Sequence, residues 1–155
     1  MKNILVSACL LGMACRYDGK SKPNETVLRL LENNSDEIRL IPICPEQLGG
    51  LPTPRVPSEK AGEKVINRVG IDVTVQYQKG AKEALKLAKL YHCETAILKE
   101  RSPSCGRGEI YDGSFTKTLI SGDGTTAELL KQNGIRVIGE SEVRLFAREN
   151  VNEYF

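Results

Sequence analysis

TAILKERSPSCGRG, residues 95–108, decides how the chain is read. Thr95–Leu98 is a short apolar run of the kind that forms a buried strand. Residues 99–108 cannot continue it, because they mix charged and polar side chains with Pro103, Cys105, Gly106 and Gly108. Proline and glycine at this density make a tight loop. A lone cysteine directly behind a buried strand raises the question of what else in the chain arrives at the same place.

Working outward, the same alternation recurs. Ile4–Ala8 is another short apolar strand. Asn24, after Pro23, is placed to cap a helix over 24–33 with Val27, Leu28, Leu30 and Leu31 on its apolar side. Ile38–Cys44 reads as a second strand. Residues 45–59, PEQLGGLPTPRVPSE, are too rich in turn formers for a core element. KVINRVGIDVT, residues 64–74, reads as a short strand pair. The clearest helix spans Val73–Tyr91, where Tyr77, Ala81, Ala84, Leu85 and Ala88 recur at three- and four-residue steps behind Asp72 as a cap. SGDGTTAELLKQNG, 121–134, is a loop and then a helix closed by Gly134. IRVIG, 135–139, is the last strand, and Ser141 is expected to cap a helix running to about Asn150. Alternating helices and short apolar strands predict an α/β fold, a parallel sheet with helices on both faces. The 155 residues suit a single domain, and no repeat or linker divides them.

Composition narrows the function. With 40% hydrophobic and 27% charged residues the chain is expected to be a soluble globular protein. A net charge of +2 is too small to argue for a nucleic-acid surface, and no apolar run approaches a membrane span. The apolar stretch in MKNILVSACLLG is short and no small-residue cleavage site follows it, so a signal peptide is rejected and a cytoplasmic address is expected. Five cysteines without a C-x-x-C argue against a disulfide framework, thioredoxin-like redox chemistry and common zinc ribbons.

On the predicted sheet, Cys9 follows the first strand, Cys44 ends the second and Cys105 lies in the loop after Thr95–Leu98. Parallel sheets bind ligands beyond the carboxyl ends of their strands, so the three cysteines should meet at one edge. Three adjacent thiolates need a cation to hold them. A soft metal centre answers this, either an iron–sulfur cluster with one open iron or a zinc with one open position. The plain alternative is three unrelated small buried residues, the reading that suits Cys93 in LYHCETAIL. Glu46, two residues beyond Cys44, could shuttle a proton beside iron, although alone it would be a helix-start charge. Ser102, Pro103, Ser104 and Gly106 would let backbone N–H groups approach inorganic sulfide.

Five stretches together carry a resemblance: SACLLGMACRYDG (7–19), PICPEQLGGLPTPR (42–55), GIDVTVQYQKGA (70–81), AILKERSPSCGRGEIYDGSFT (96–116) and SGDGTTAELLKQNGIRV (121–137). In this order they resemble the thiouracil desulfurase family over about residues 3–142. The resemblance implies a Rossmann-like domain carrying an oxygen-sensitive 4Fe–4S cluster. Its motif positions imply Cys9, Cys44 and Cys105 as ligands and one iron left open for the sulfur of a thiolated uracil. It implies non-redox hydrolysis of the C–S bond, giving uracil or UMP and hydrosulfide. It also implies Glu46 as proton relay and Ser102 as a substrate or water contact, with Ser104 the alternative. Cys15 belongs to the first motif and is left open as a fourth ligand, which would close the cluster.

Some relatives carry a further domain associated with RNA substrates. This chain ends shortly after the match, so a free base or mononucleotide is expected rather than RNA. Arg16, Arg55, Lys99 and Arg101 could meet a nucleotide phosphate. His92, the single histidine, is expected to complement a helix C-terminus, and GDGT, 122–125, to cap a helix rather than bind an anion. The rival functions are a non-catalytic iron–sulfur carrier, a nucleotide-binding module with incidental cysteines, and a zinc hydrolase.

Overall fold

The computed structural model describes residues 1–151. In chain order its elements are β1 (Lys2–Ser7), α1 (Glu25–Asn33), β2 (Ile38–Ile43), α2 (Pro45–Leu48), β3 (Ser58–Ala61), β4 (Lys64–Asn67), α3 (Thr74–Leu90), β5 (Thr95–Leu98), β6 (Glu109–Tyr111), β7 (Leu119–Ser121), α4 (Thr125–Gln132), β8 (Arg136–Gly139) and α5 (Val143–Asn150), with 3-10 turns at Ala8–Leu11 and Glu140–Glu142. Four strands form one parallel sheet in the order β2-β1-β5-β8. β1 is central and buried from Ile4 to Ser7, which is why it reads as a continuous apolar run. β2 lies at an edge, the position where Pro42 is tolerated in a strand.

Alternate residues of each strand serve opposite faces. Ile4, Val6, Ile97 and Ile138 pack with Val27 and Leu30 of α1 and with Val143 and Phe146 of α5. Leu5, Ala96, Leu98 and Val137 pack with Ala84 and Ala88 of α3 and with Ala127 and Leu130 of α4. The predicted parallel sheet with helices on both faces is therefore found. The Asn24 carboxamide oxygen accepts from the Val27 N–H at 3.1 Å, as its cap position requires. Asp72 accepts from the Thr74 N–H at 2.9 Å, and Gly134 turns the chain out of α4 with φ +79°.

Four expectations are corrected. The first strand ends at Ser7, so Ala8 and Cys9 belong to a tight 3-10 turn. The strand pair expected within 64–74 instead joins β4 to β3, which comes from the segment read as lacking regular structure. Within 64–74 the pairing is a lone bridge between Ile66 and Asp72. A second hairpin, β6–β7, was not foreseen. Ser141 does not cap α5, because it lies in the 3-10 turn and its hydroxyl donates to the Glu100 carboxylate.

The chain leaves β1 toward β2 on one side and returns past β1 to β5 on the other. That reversal opens a crevice at the carboxyl ends of β1 and β5.

Candidate functional site

The crevice holds a cavity of about 480 Å³ whose wall includes Cys9, Cys15, Cys44, Glu46, Ser102 and Cys105. Each arrives by a local device. Cys9 rides the turn after β1, which Gly12 closes with φ +97° while its N–H donates to the Cys9 carbonyl at 3.2 Å. Cys44 is the residue before α2, with Pro45 at the first helical position, where proline's missing N–H costs nothing. α2 lies so close to α3 that a side chain on Gly49 would strike the Gln76 carbonyl, and one on Gly80 the Pro45 carbonyl. This pair of glycines sets the depth at which Cys44 and Glu46 enter the cavity.

The Cys105 loop is fixed from two directions. The Ser102 hydroxyl accepts from the N–H groups of Ser104 (3.1 Å) and Cys105 (3.0 Å). The first N–H groups of α4 donate outward to the same loop, Thr125 to the Pro103 carbonyl (2.9 Å) and Thr126 to that of Ser104 (2.8 Å). Gly124 lets the helix approach, because a Cβ there would collide with Ser104 backbone. GDGT is thus a packing and capping element whose N–H groups are occupied by the loop.

Glu46 is the hub of the polar contacts. The Cys44 thiol donates to its Oε2 at 3.4 Å, the Ser102 hydroxyl lies 3.5 Å from its Oε1, and Arg55 Nη2 is 3.6 Å from Oε2. Arg55 also donates to the Cys15 carbonyl at 2.9 Å and to Thr53 Oγ1 at 3.1 Å. It thereby ties the loop after β1 to the loop after β2.

Three of the cavity thiols are pushed above the ordinary thiol value. For Cys15 the hydrogen bond with Cys44 acts downward, but the bond with Cys9, burial, and the charges of Cys9 and Glu46 outweigh it and push the thiol up to about 11. The Cys15 hydrogen bond, burial and the Glu46 carboxylate push Cys44 up. Burial and then Glu46 push Cys105 up, against stabilisation from the Ser7 hydroxyl. A soft metal bound by these thiols would displace their protons. Among the described residues no three His, Cys, Asp or Glu side chains converge on a point that would hold a single metal ion. Thiols are the soft donors that iron–sulfur clusters take.

The remaining expected residues divide clearly. Ser104, expected as the alternative to Ser102, is fully buried and outside the cavity wall, its hydroxyl sharing a 2.8 Å bond with Thr126; it holds the loop together rather than facing the cavity. Lys99 is committed to Glu140 at 2.7 Å and Arg55 to Glu46. Arg16 and Arg101 line the cavity, Arg16 weakly paired with Asp18 at 3.9 Å. His92 takes the left-handed position just past α3, φ +54°. Cys93 is a core residue on the α3–α4 face.

Sequence reading missed Ser7, whose hydroxyl accepts from the Lys99 N–H at 2.9 Å; its signal was a polar residue closing an apolar strand beside Cys9. It also missed Glu59, Tyr77, Tyr111 and Phe115 in the wall. Glu59, Tyr111 and Phe115 come from the two hairpins and carried no local signal.

Comparison with known proteins agrees with this architecture. The family model for 2-thiouracil desulfurase matches residues 4–142. The uncharacterized protein YbbK of Bacillus subtilis (strain 168) is 45% identical over 150 residues, covering 90% of this chain and 97% of YbbK. The solved structure of TudS, a [4Fe-4S]-dependent thiouracil desulfidase, superposes with a TM-score of 0.89 at 43% identity, covering 96% of this chain and 97% of TudS. With its site at the carboxyl edge of the same sheet, the chain belongs to the 2-thiouracil desulfurase family.

Proposed function

We propose that this protein is a 4Fe–4S-dependent thiouracil desulfidase acting on a thiolated uracil, as free base or as thio-UMP, with release of hydrosulfide. The observation that carries the reading is the gathering of Cys9, Cys44, Cys105 and Glu46 in the wall of one cavity. In this reading Cys9, Cys44 and Cys105 hold the cluster. When bound, the cluster supplies a Lewis-acidic iron with an open position for a thiocarbonyl sulfur.

The chain's own residues do the rest. Glu46 takes a proton from the attacking water and passes it on toward the ring or the departing sulfur. Ser102, whose hydroxyl is already fixed by two N–H groups, orients Glu46 and the water. Arg55 holds Glu46 in place. Overall, water oxygen replaces sulfur on the ring carbon, the sulfur leaves as hydrosulfide with one proton released, and no electrons are exchanged. A cavity of about 480 Å³ suits a small molecule, which favours base or mononucleotide over RNA. Of the four basic residues expected to meet a phosphate, Arg16 and Arg101 line the cavity without a close carboxylate partner of the kind that Arg55 and Lys99 have. Five free cysteines fit a reducing cytoplasm.

One observation favours a second reading. Cys15 packs with Cys9 and Cys44 in the wall of the same cavity, and its carbonyl accepts from the Cys44 thiol at 3.6 Å, so it is near enough to act as a fourth ligand in a cluster carrier. Anaerobic reconstitution with iron and sulfide, followed by sulfide release from 4-thiouracil and 4-thio-UMP, separates the two. Release by the native protein, lost in Cys105→Ala with its colour and in Glu46→Gln without loss of colour, supports the enzyme. A full cluster with no release from any thiolated pyrimidine, and a cluster altered in Cys15→Ala, supports the carrier.

A further inference from the structure

The chain has eight aromatic residues, and Tyr17, Tyr77, Tyr111 and Phe115 line the cavity described above. Phe115 is the unusual member. It lies in the loop between β6 and β7 with φ +58°, a conformation that bulky side chains rarely adopt. Lys117, two residues on, shares it at φ +61°.

The loop is held in this state from β3. A single Glu59 oxygen, Oε1, accepts from the N–H groups of both Gly113 and Phe115, each at 3.1 Å. Gly113 sits so tightly on β3 that an added Cβ would lie 2.9 Å from the Ala61 Cβ. Asp112 accepts from the Ser114 N–H at 2.9 Å on the other side of the turn. Strain held in place by a dedicated carboxylate, at the rim of a cavity, points to a side chain that is being presented. Phe115 is half-buried rather than packed into a core, and the Arg68 guanidinium lies over its ring, 5.6 Å from the centroid.

We propose that Phe115 is the platform on which the substrate's planar ring stacks, and that Glu59 is the positioning residue that holds Phe115 there. The identity of the ring as a pyrimidine rests on the function proposed above. Offset stacking on a π-face recognises a flat heteroaromatic ring without reading its substituents. It would orient the ring in its plane and leave the exchange of sulfur for oxygen to the groups at the base of the cavity. Phe115 would therefore contribute to binding, and Glu59 would act through Phe115 alone.

The test uses uracil, which has no sulfur to donate to iron, titrated into metal-free protein and followed by NMR. Sulfide release by the reconstituted protein is measured in parallel. Phe115→Ala should weaken uracil binding about tenfold, and Phe115→Leu, which keeps apolar bulk without a π-face, by a similar factor. Phe115→Tyr should keep most of it. Glu59→Ala should lose about as much as Phe115→Ala, and Glu59→Gln, whose carbonyl oxygen still accepts both N–H bonds, should restore most of that loss. In a Phe115→Ala background Glu59→Ala should add nothing. In release assays KM should rise with kcat changed by less than about threefold.

Uracil binding unchanged in Phe115→Ala and Phe115→Leu overturns the proposal. So does an undiminished effect of Glu59→Ala in the Phe115→Ala background, or native protein that binds no uracil with or without its cluster. Native protein that binds uracil through Phe115 but releases no sulfide would keep this inference and refute the desulfidase reading instead.

Discussion

Replacing Arg55 by methionine tests whether the Glu46 hub is held by charge. Arg55 and Glu46 have side chains only 8% and 11% exposed, so solvent screening is weak. Their 3.6 Å separation is too long for a hydrogen bond, and the attraction is coulombic. At an effective dielectric of about 20 that attraction is roughly 4–5 kcal/mol before the cost of desolvating both groups. Removing one partner of such a buried pair typically costs about 3–5 kcal/mol, since the other charge is stranded. The Cys15 carbonyl also loses its 2.9 Å charge-assisted bond, although the Cys44 thiol, 3.6 Å away, remains beside it. Arg55→Met should therefore destabilise the metal-free protein by about 3–4 kcal/mol, which lowers the melting temperature by roughly 10 °C in a domain of this size.

Glu46→Gln alone should cost less, about 1–2 kcal/mol, because Arg55 keeps its carbonyl and hydroxyl acceptors. Combining the two removes the stranded carboxylate, so the double variant should be more stable than the summed single losses by at least about 1 kcal/mol. Urea unfolding of reduced, metal-free protein at pH 7, followed by circular dichroism, measures all four corners of the cycle. Additive losses, or an Arg55→Met variant within about 1 kcal/mol of native, would refute the argument that this pair is electrostatically coupled.

Gly80→Ala should cost at least about 2 kcal/mol, because its methyl meets the Pro45 carbonyl rather than a yielding side chain. It should also lower sulfide release, as the Cys44–Glu46 turn must shift; melting and release measured on one preparation check both. The raised thiols of Cys15, Cys44 and Cys105 and the phenol of Tyr77, which burial raises most, bind protons more tightly folded than unfolded. Their stabilisation is complete below the ordinary thiol value of 9.0 and is lost as pH rises toward the Cys15 value of about 11, so the melting temperature of metal-free protein should fall between those limits. Ser104→Ala should cost about 1–3 kcal/mol by stranding the buried Thr126 hydroxyl, yet keep sulfide release within about threefold of native. Ser102→Ala should lose release by at least about tenfold, since its hydroxyl both holds the Cys105 loop and faces Glu46.

The sequence alone determined the sheet, its helices and the edge at which the cysteines meet. Buried strands read as continuous apolar runs and amphipathic helices as three- and four-residue steps, so β1, β2, β5, β8, α1 and α3 were legible to within a few residues at their ends. The rule that parallel sheets bind ligands at their carboxyl ends then brought Cys9, Cys44 and Cys105 together without any contact being known. The two hairpins were illegible for the complementary reason. Strands of three or four residues, such as SEKA, EIY and LIS, are too short to show a repeating apolar pattern. With them went Glu59 and Phe115. Tertiary structure decided the rest: that Ser104 turns inward to Thr126, that Arg55 spends its charge on Glu46, and that Cys15 stands against Cys9 and Cys44. The Ser104–Thr126 bond spans 22 positions, and the bond from Arg55 to the Cys15 carbonyl spans 40. Such separations are settled when the sheet closes and packs, because only then do side chains with no shared local pattern come within reach of one another's charge and hydrogen bonds.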